Sequence, residues 1–263
     1  MEPIIYEVRG HVAHLTINRP DAMNAMDSHA HLELSRALDA IGQDEQVRVV
    51  ILTGAGERAF SAGRDLKEVA AEPGMSSEEK QVLAARWREV RRLTDRHDFF
   101  KPIIAAVNGM ALGGGFELAL ACDIIVAASH ASFALPEPKR GLIATAGGVH
   151  RLPRQIPLKV AMGMLLTGQA ISAGRAMELG LVNQVVPAAE LEDAAAAWAD
   201  QILECAPLSV QATKQSAMAG LGHALPDAIG RSYTLEERRK TSCDSVEGPR
   251  AFAAKRKPIW TGA

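Results

Sequence analysis

Two short runs of apolar residues, IIYEV (4–8) and VAHLTI (12–17), flank Arg9-Gly10-His11, and this pattern predicts a β-hairpin. NRPDAMNAMD (18–27) is turn chemistry, after which Asp27 or Ser28 is placed to cap a helix running to about Ile41. The period then changes. VRVVILT (47–53), PIIAAV (102–107) and DIIVAA (123–128) are almost wholly apolar, the pattern of strands buried on both faces. GAGERAFSAGRD (54–65) reads as a loop, 76–97 as a charged helical stretch anchored by Trp87, and SFALPE (132–137) as a short segment after the third buried run. From Gly147 helices dominate, one of them marked by Ser172 as N-cap and Gly180 as C-cap. LVNQVV (181–186) is the last expected strand. Strands alternating with helices give an α/β domain with a largely parallel interior. We place it at residues 1–200, with 201–263 a helical segment that cannot form its own core and packs on a neighbour.

Composition narrows the class. The chain has 263 residues, 48% of them hydrophobic, enough for a substantial core. A net charge of −2 suggests no polyanion partner, and 4% aromatic residues argue against a stacking platform for single-stranded nucleic acid. Cys122, Cys205 and Cys243 lie far apart and form no CxxC pair, which favours a reduced, intracellular setting. The opening MEPIIYEVRG lacks the basic and apolar regions of a signal peptide, and the uncharged run Pro102 to Phe116 is too short to span a bilayer. The expectation is a soluble, cytoplasmic protein without nucleic-acid or membrane partners.

Several chemistries fail on context. GAGERA (54–59) satisfies a dinucleotide fingerprint, but FSAGRD interrupts the helix that should follow it. In HAH (29–31) the imidazoles stand at i and i+2, on different sides of a helix, and cannot share a metal. These and His97, His130 and His150 read as surface or supporting histidines, and no metal is expected. The G-x-S-x-G elbow of serine hydrolases does not occur.

GMALGGGFELALACD (109–123) is different. Three glycines, Gly113 to Gly115, run into an apolar helix with Glu117 one turn inside. Glycine lets backbone approach a ligand closely, and the first N–H groups of a helix are free donors at the positive end of its dipole. Such an amide suits a developing oxyanion, with Glu117 on the same helical face as Gly114. Taken alone, the stretch fits a tight strand-to-helix turn equally well. AFSAGRDLKE (59–68) supplies a second Ala-Gly corner before a helix, and SFALPEPKRGLIATAGG (132–148) holds Glu137 between two prolines that restrict its backbone.

With NRPDAMNAMD, TGQAISAGRAMELGLVNQVV and EGPRAFAAKRKPIW, these stretches resemble the enoyl-CoA hydratase/isomerase (crotonase) superfamily over almost the whole chain. The resemblance implies a spiral of ββα units with a C-terminal helical trimerisation region, assembled as a homotrimer or dimer of trimers. It implies an acyl-CoA thioester as substrate, no cofactor beyond the coenzyme A of that substrate, and an enolate-like oxyanion held by two backbone amides. By motif those amides fall on Ala62 and Gly114. Glu117 and Glu137 match the two carboxylates of the hydratases, with Glu117 orienting and deprotonating water and Glu137 protonating Cα. Ala62, Gly63, Arg64, Asp65, Lys67 and Gly113 would contact CoA, joined by Phe252 beside the adenine and Lys255 near a phosphate, with Lys67 reaching the phosphates from another subunit. The implied activity is reversible hydration of a 2-enoyl-CoA. GGGFELALACD, FALPEPKRGL, GGVHRLPRQIP and the tail are also similar to crotonobetainyl-CoA hydratase (carnitinyl-CoA dehydratase), and a Δ3-Δ2 enoyl-CoA isomerase, an RNA-binding homologue and a silent scaffold are the other readings. The stretch 70–97 is expected to line the acyl pocket.

Overall fold

The computed structural model describes residues 2–263. The expected hairpin is present as β1 (Ile4–Arg9) and β2 (Val12–Ile17), followed by α1 (Ser28–Gln43), whose cap is Asp27 accepting from the Ala30 N–H. The chain then alternates between two sheets. β3 (Val49–Gly54), β5 (Ile103–Val107) and β7 (Ile124–Ala128) join the hairpin in one sheet; β4 (Ala59–Ser61), β6 (Met110–Leu112) and β8 (Ser132–Ala134) form the other. Each long strand is thus followed by a short one and then by helix: α2 (Leu66–Ala71) and α3 (Ser77–Glu89) after β4, α4 (Gly114–Ala121) after β6, and α5 (Gly148–Gln155) and α6 (Leu158–Thr167) after β8. β9 (Ile171–Ser172), α7 (Ala173–Glu178), β10 (Gln184–Val186) and α8 (Leu191–Leu203) complete the spiral. The six-stranded order is β1-β2-β3-β5-β7-β10, parallel except for the hairpin, and the four-stranded order is β4-β6-β8-β9, with β9 antiparallel.

The core follows from this layering. Val49, Ile51, Ile104 and Val126 on one face of the large sheet meet Leu191, Ala195 and Ala199 of α8, so residue 200 falls inside a helix that belongs to the sheet's packing. The other face packs on α1 and α4 through Leu34, Leu38, Phe116 and Leu118. Phe116 meets Phe133 of β8 at 5.3 Å between ring centroids, which ties α4 to the small sheet. α9 (Pro207–Gly220), α10 (Leu225–Gly230), α11 (Thr234–Lys240) and α12 (Cys243–Ala253) follow, and the C-terminal residues return onto α12 and α8, where the Trp260 indole N–H donates to the Glu204 carbonyl at 2.7 Å.

Two elements differ from expectation. The stretch 54–65 contains β4, and the helix expected over 76–97 ends at Glu89, with a single 3₁₀ turn at Leu93–Asp95. α3 buries only Leu83, so no apolar stripe extends it. Among the described residues, no helix is long and apolar enough to cross a membrane.

Candidate active site

The small sheet ends at a cavity of about 780 Å³. Its wall includes residues following three short strands: Ala62, Gly63 and Arg64 after β4, Gly113, Gly114 and Glu117 after β6, and Pro136 and Glu137 after β8. The glycine triplet is there for space and for backbone angle. Gly113 has φ +53°, a region that other residues rarely enter, and a Cβ on it would stand 2.9 Å from the Glu137 Oε1. A Cβ on Gly115 would lie 2.0 Å from the Ser61 carbonyl oxygen, so α4 can approach β4 only through glycine. Gly114, between them, is the first residue of α4, where an N–H has no intrahelical acceptor.

The partner amide is not the one expected from the sequence. The Ala62 N–H donates to the Met23 carbonyl at 2.9 Å and is already committed. The cause is the turn at 18–27, where Met23 and Asn24 adopt left-handed backbone and lace the 61–65 loop in place. The Gly63 carbonyl accepts from Met26 N–H and the Asp65 N–H donates to the Met26 carbonyl. Between these two anchors, the Arg64 N–H meets no acceptor among the described residues, and a Cβ on Gly114 would stand 3.4 Å from that nitrogen. Gly63, at φ +82°, makes the turn that offers it. The two free, adjacent amides belong to Arg64 and Gly114.

Glu117 is 3% exposed, the one charged residue of the otherwise apolar α4, and its Oε1 accepts from the Gly148 N–H at 2.8 Å. Burial pushes its carboxyl above the usual range, opposed by that backbone hydrogen bond and assisted by the charge of Glu137. Glu137 opens the 3₁₀ turn Glu137–Arg140 and is also raised by burial. Its Oε2 is, among the described residues, the buried side-chain polar atom without a hydrogen-bond partner, which marks an acceptor held ready for something else.

That arrangement costs stability. A carboxyl whose pKa is higher folded than unfolded is penalised above the folded value, and the penalty vanishes below the unfolded one. Glu137→Gln is therefore expected to melt at higher temperature than the parent near neutral pH, with the gain shrinking as pH falls from the raised folded value to the ordinary carboxylate value and absent below it. Thermal melts across pH measure this, and a variant that melts lower at neutral pH contradicts it.

Other expected site residues distribute unevenly. Asp65 does not line the cavity: its carboxylate caps α2 by accepting from the Lys67 N–H and pairs with Arg19 at 3.0 Å, so it serves the loop's shape. Lys67, Phe252 and Lys255 are exposed and also stand outside the cavity wall, with Phe252 87% exposed. Trp87, Val90, Arg92, Thr94 and Asp95 do line it, in keeping with the role expected of 70–97. His31, expected as a surface or supporting histidine, forms part of the wall, its ring 5.2 Å from that of Trp87, and burial pushes its pKa down to about 4. Only the fold could reveal this, because α1 and α3 are brought together by packing.

Known proteins are similar to this chain along nearly all of its length. The family model for enoyl-CoA hydratase/isomerase matches residues 7–263. The chain is 42% identical over 262 residues to (E)-benzylidenesuccinyl-CoA hydratase of Thauera aromatica, covering 99% of this chain and 100% of that one. It is 42% identical over 258 residues to carnitinyl-CoA dehydratase of Proteus mirabilis, covering 97% and 96%. The crystal structure of an enoyl-CoA hydratase from Mycobacterium tuberculosis superposes with a TM-score of 0.89 at 40% identity, covering 100% of both chains. With a spiral of paired strands, a glycine-built amide pair, the buried Glu117 and the half-buried Glu137 all in the matched span, the chain belongs to the enoyl-CoA hydratase/isomerase family.

Proposed function

We propose that the protein adds water reversibly across the 2,3 double bond of a 2-enoyl-CoA thioester, as a hydro-lyase. The observation that carries this reading is the meeting of Glu117 and Glu137 at one cavity that also exposes two unengaged amides, those of Arg64 and Gly114. Hydration places a nucleophile at Cβ, a proton at Cα and, between those events, negative charge on the thioester oxygen. Two amides aimed at that oxygen stabilise the charge by about 3–4 kcal/mol each in comparable sites. Glu117, ionised, takes a proton from water as its oxygen attacks Cβ, and Glu137 delivers a proton to Cα. Both carboxyls are raised by burial, so the ionised base is populated only at higher pH than an exposed glutamate would need. The matched relatives named as a hydratase and a dehydratase support the direction of the chemistry.

The reading includes trimers, or pairs of trimers, with CoA reached by Lys67, Phe252 and Lys255 across a subunit boundary. It is supported by exposed apolar side chains on and beside α9 and α10, Leu221, Leu225 and Ile229, all more than 70% exposed in the single chain. The test of activity is direct. Crotonyl-CoA incubated with the protein is expected to lose its enone absorbance and gain one water, with ¹⁸O from labelled solvent entering at Cβ. Double-bond migration without incorporation would instead identify an isomerase.

A further inference from the structure

The cavity wall carries three guanidinium groups beside the carboxyls of Asp95, Glu117 and Glu137. Arg64, Arg92 and Arg140 all line it. Arg64 and Arg140 form no ion pair among the described residues, and Arg92 hydrogen-bonds Asp95 through Nε, at 2.8 Å, while its outer nitrogens make no hydrogen bond to a carboxylate among the described residues. Glu117, whose carboxyl Arg92 influences by charge, stands too far from it for an ion pair. Arg64 lies over the Trp87 ring at 5.4 Å, and Trp87 in turn meets His31 with the two rings tilted by 47°, so one end of the cavity is an aromatic pair edged by guanidinium groups. This end is built by α1, α3 and the 92–95 turn, on the side expected to receive the acyl chain.

Such a wall discriminates by charge. A quaternary ammonium is recognised on the face of an aromatic ring, and the protein's own Arg64 already covers the Trp87 face. A carboxylate, by contrast, matches the planar fork of a guanidinium. We infer that the acyl group taken by this cavity bears a second, anionic substituent, a carboxylate, and that Arg64 and Arg92 receive it beside the Trp87–His31 wall. The inference rests on the acyl-CoA reading above and narrows it to thioesters of unsaturated dicarboxylic acids, excluding the trimethylammonium substrate of the carnitinyl-type relatives.

Binding of three saturated CoA esters tests this without turnover: butyryl-CoA, glutaryl-CoA and γ-trimethylammoniobutyryl-CoA, which differ only in the group at the end of a four-carbon chain. All three carry the same CoA phosphates, so any role of these arginines toward the phosphates cancels in the ratios. Calorimetry is expected to show glutaryl-CoA binding at least about 10-fold tighter than butyryl-CoA, as charge-assisted hydrogen bonds allow, and the cationic ester binding weakest. Arg64→Gln, which keeps the backbone amide, and Arg92→Gln should each shrink the glutaryl-to-butyryl ratio, and Arg64→Lys should restore part of it. Equal affinities in the parent, a preference for the cationic ester, or an equal loss for both esters in folded Gln variants would overturn the inference. Failure of all three esters to bind would overturn the acyl-CoA reading itself, whereas binding without discrimination would overturn only the carboxylate.

Discussion

Glu117→Gln is expected to lower the rate of crotonyl-CoA hydration by about 100-fold or more, the usual contribution of a positioned general base. The substitution is informative because the structure lets the new side chain keep its place. The amide oxygen of glutamine can still accept from the Gly148 N–H that now donates to Oε1, so the cavity wall is retained while the basicity is lost. Binding of a saturated acyl-CoA should therefore change little, and the loss should fall on kcat. Turnover close to the parent's would remove Glu117 from the chemistry and favour the isomerase reading, in which one carboxylate suffices.

Gly114→Pro and Gly114→Ala form the second decisive pair. Both place a Cβ in the same narrow gap, 3.3 Å from the Gly63 Cα, so alanine controls for the Cβ, while proline adds two ring carbons on the side of the lost N–H. Only proline removes the N–H. Because Gly114 is the first residue of α4, proline there is compatible with the helix. Losing one oxyanion donor is expected to cost about 100- to 1000-fold in kcat beyond whatever the alanine variant loses. Melting temperatures measured alongside should be similar for the two. An active proline variant, or an alanine variant equally dead, would mean that Gly114 acts through shape.

Much of this arrangement was legible before folding. The three buried strands stood out because four or five consecutive apolar, mostly β-branched residues have few other uses, and Glu117 stood out as a lone charge in an apolar helix. β4, β6 and β8 did not, since three residues are too few to show a period. The expectation of a free amide at Ala62, which the structure shows engaged, has a similar origin. Which amide of Ser61-Ala62-Gly63-Arg64 faces the cavity depends on the left-handed turn at Gly63 and on the Met23 carbonyl waiting 2.9 Å from the Ala62 nitrogen, and neither is written in the local pattern. His31 and Trp87 were ambiguous for another reason: their partnership spans more than fifty positions of chain and exists only after α1 and α3 pack.

The short strands have a consequence for how such a site can change. β4, β6 and β8 run parallel and side by side, and each delivers its element of the cavity within three residues of its end. The inter-strand hydrogen-bond repeat, about 4.8 Å, is thus the ruler that spaces Arg64, Gly114 and Glu137. A ruler made of backbone cannot be stretched by exchanging core side chains, and it can slip only by whole residues. Such a rack tolerates drift in the packing around it and changes its reaction in discrete steps, by exchanging the side chain mounted at one rung while the others stay in register.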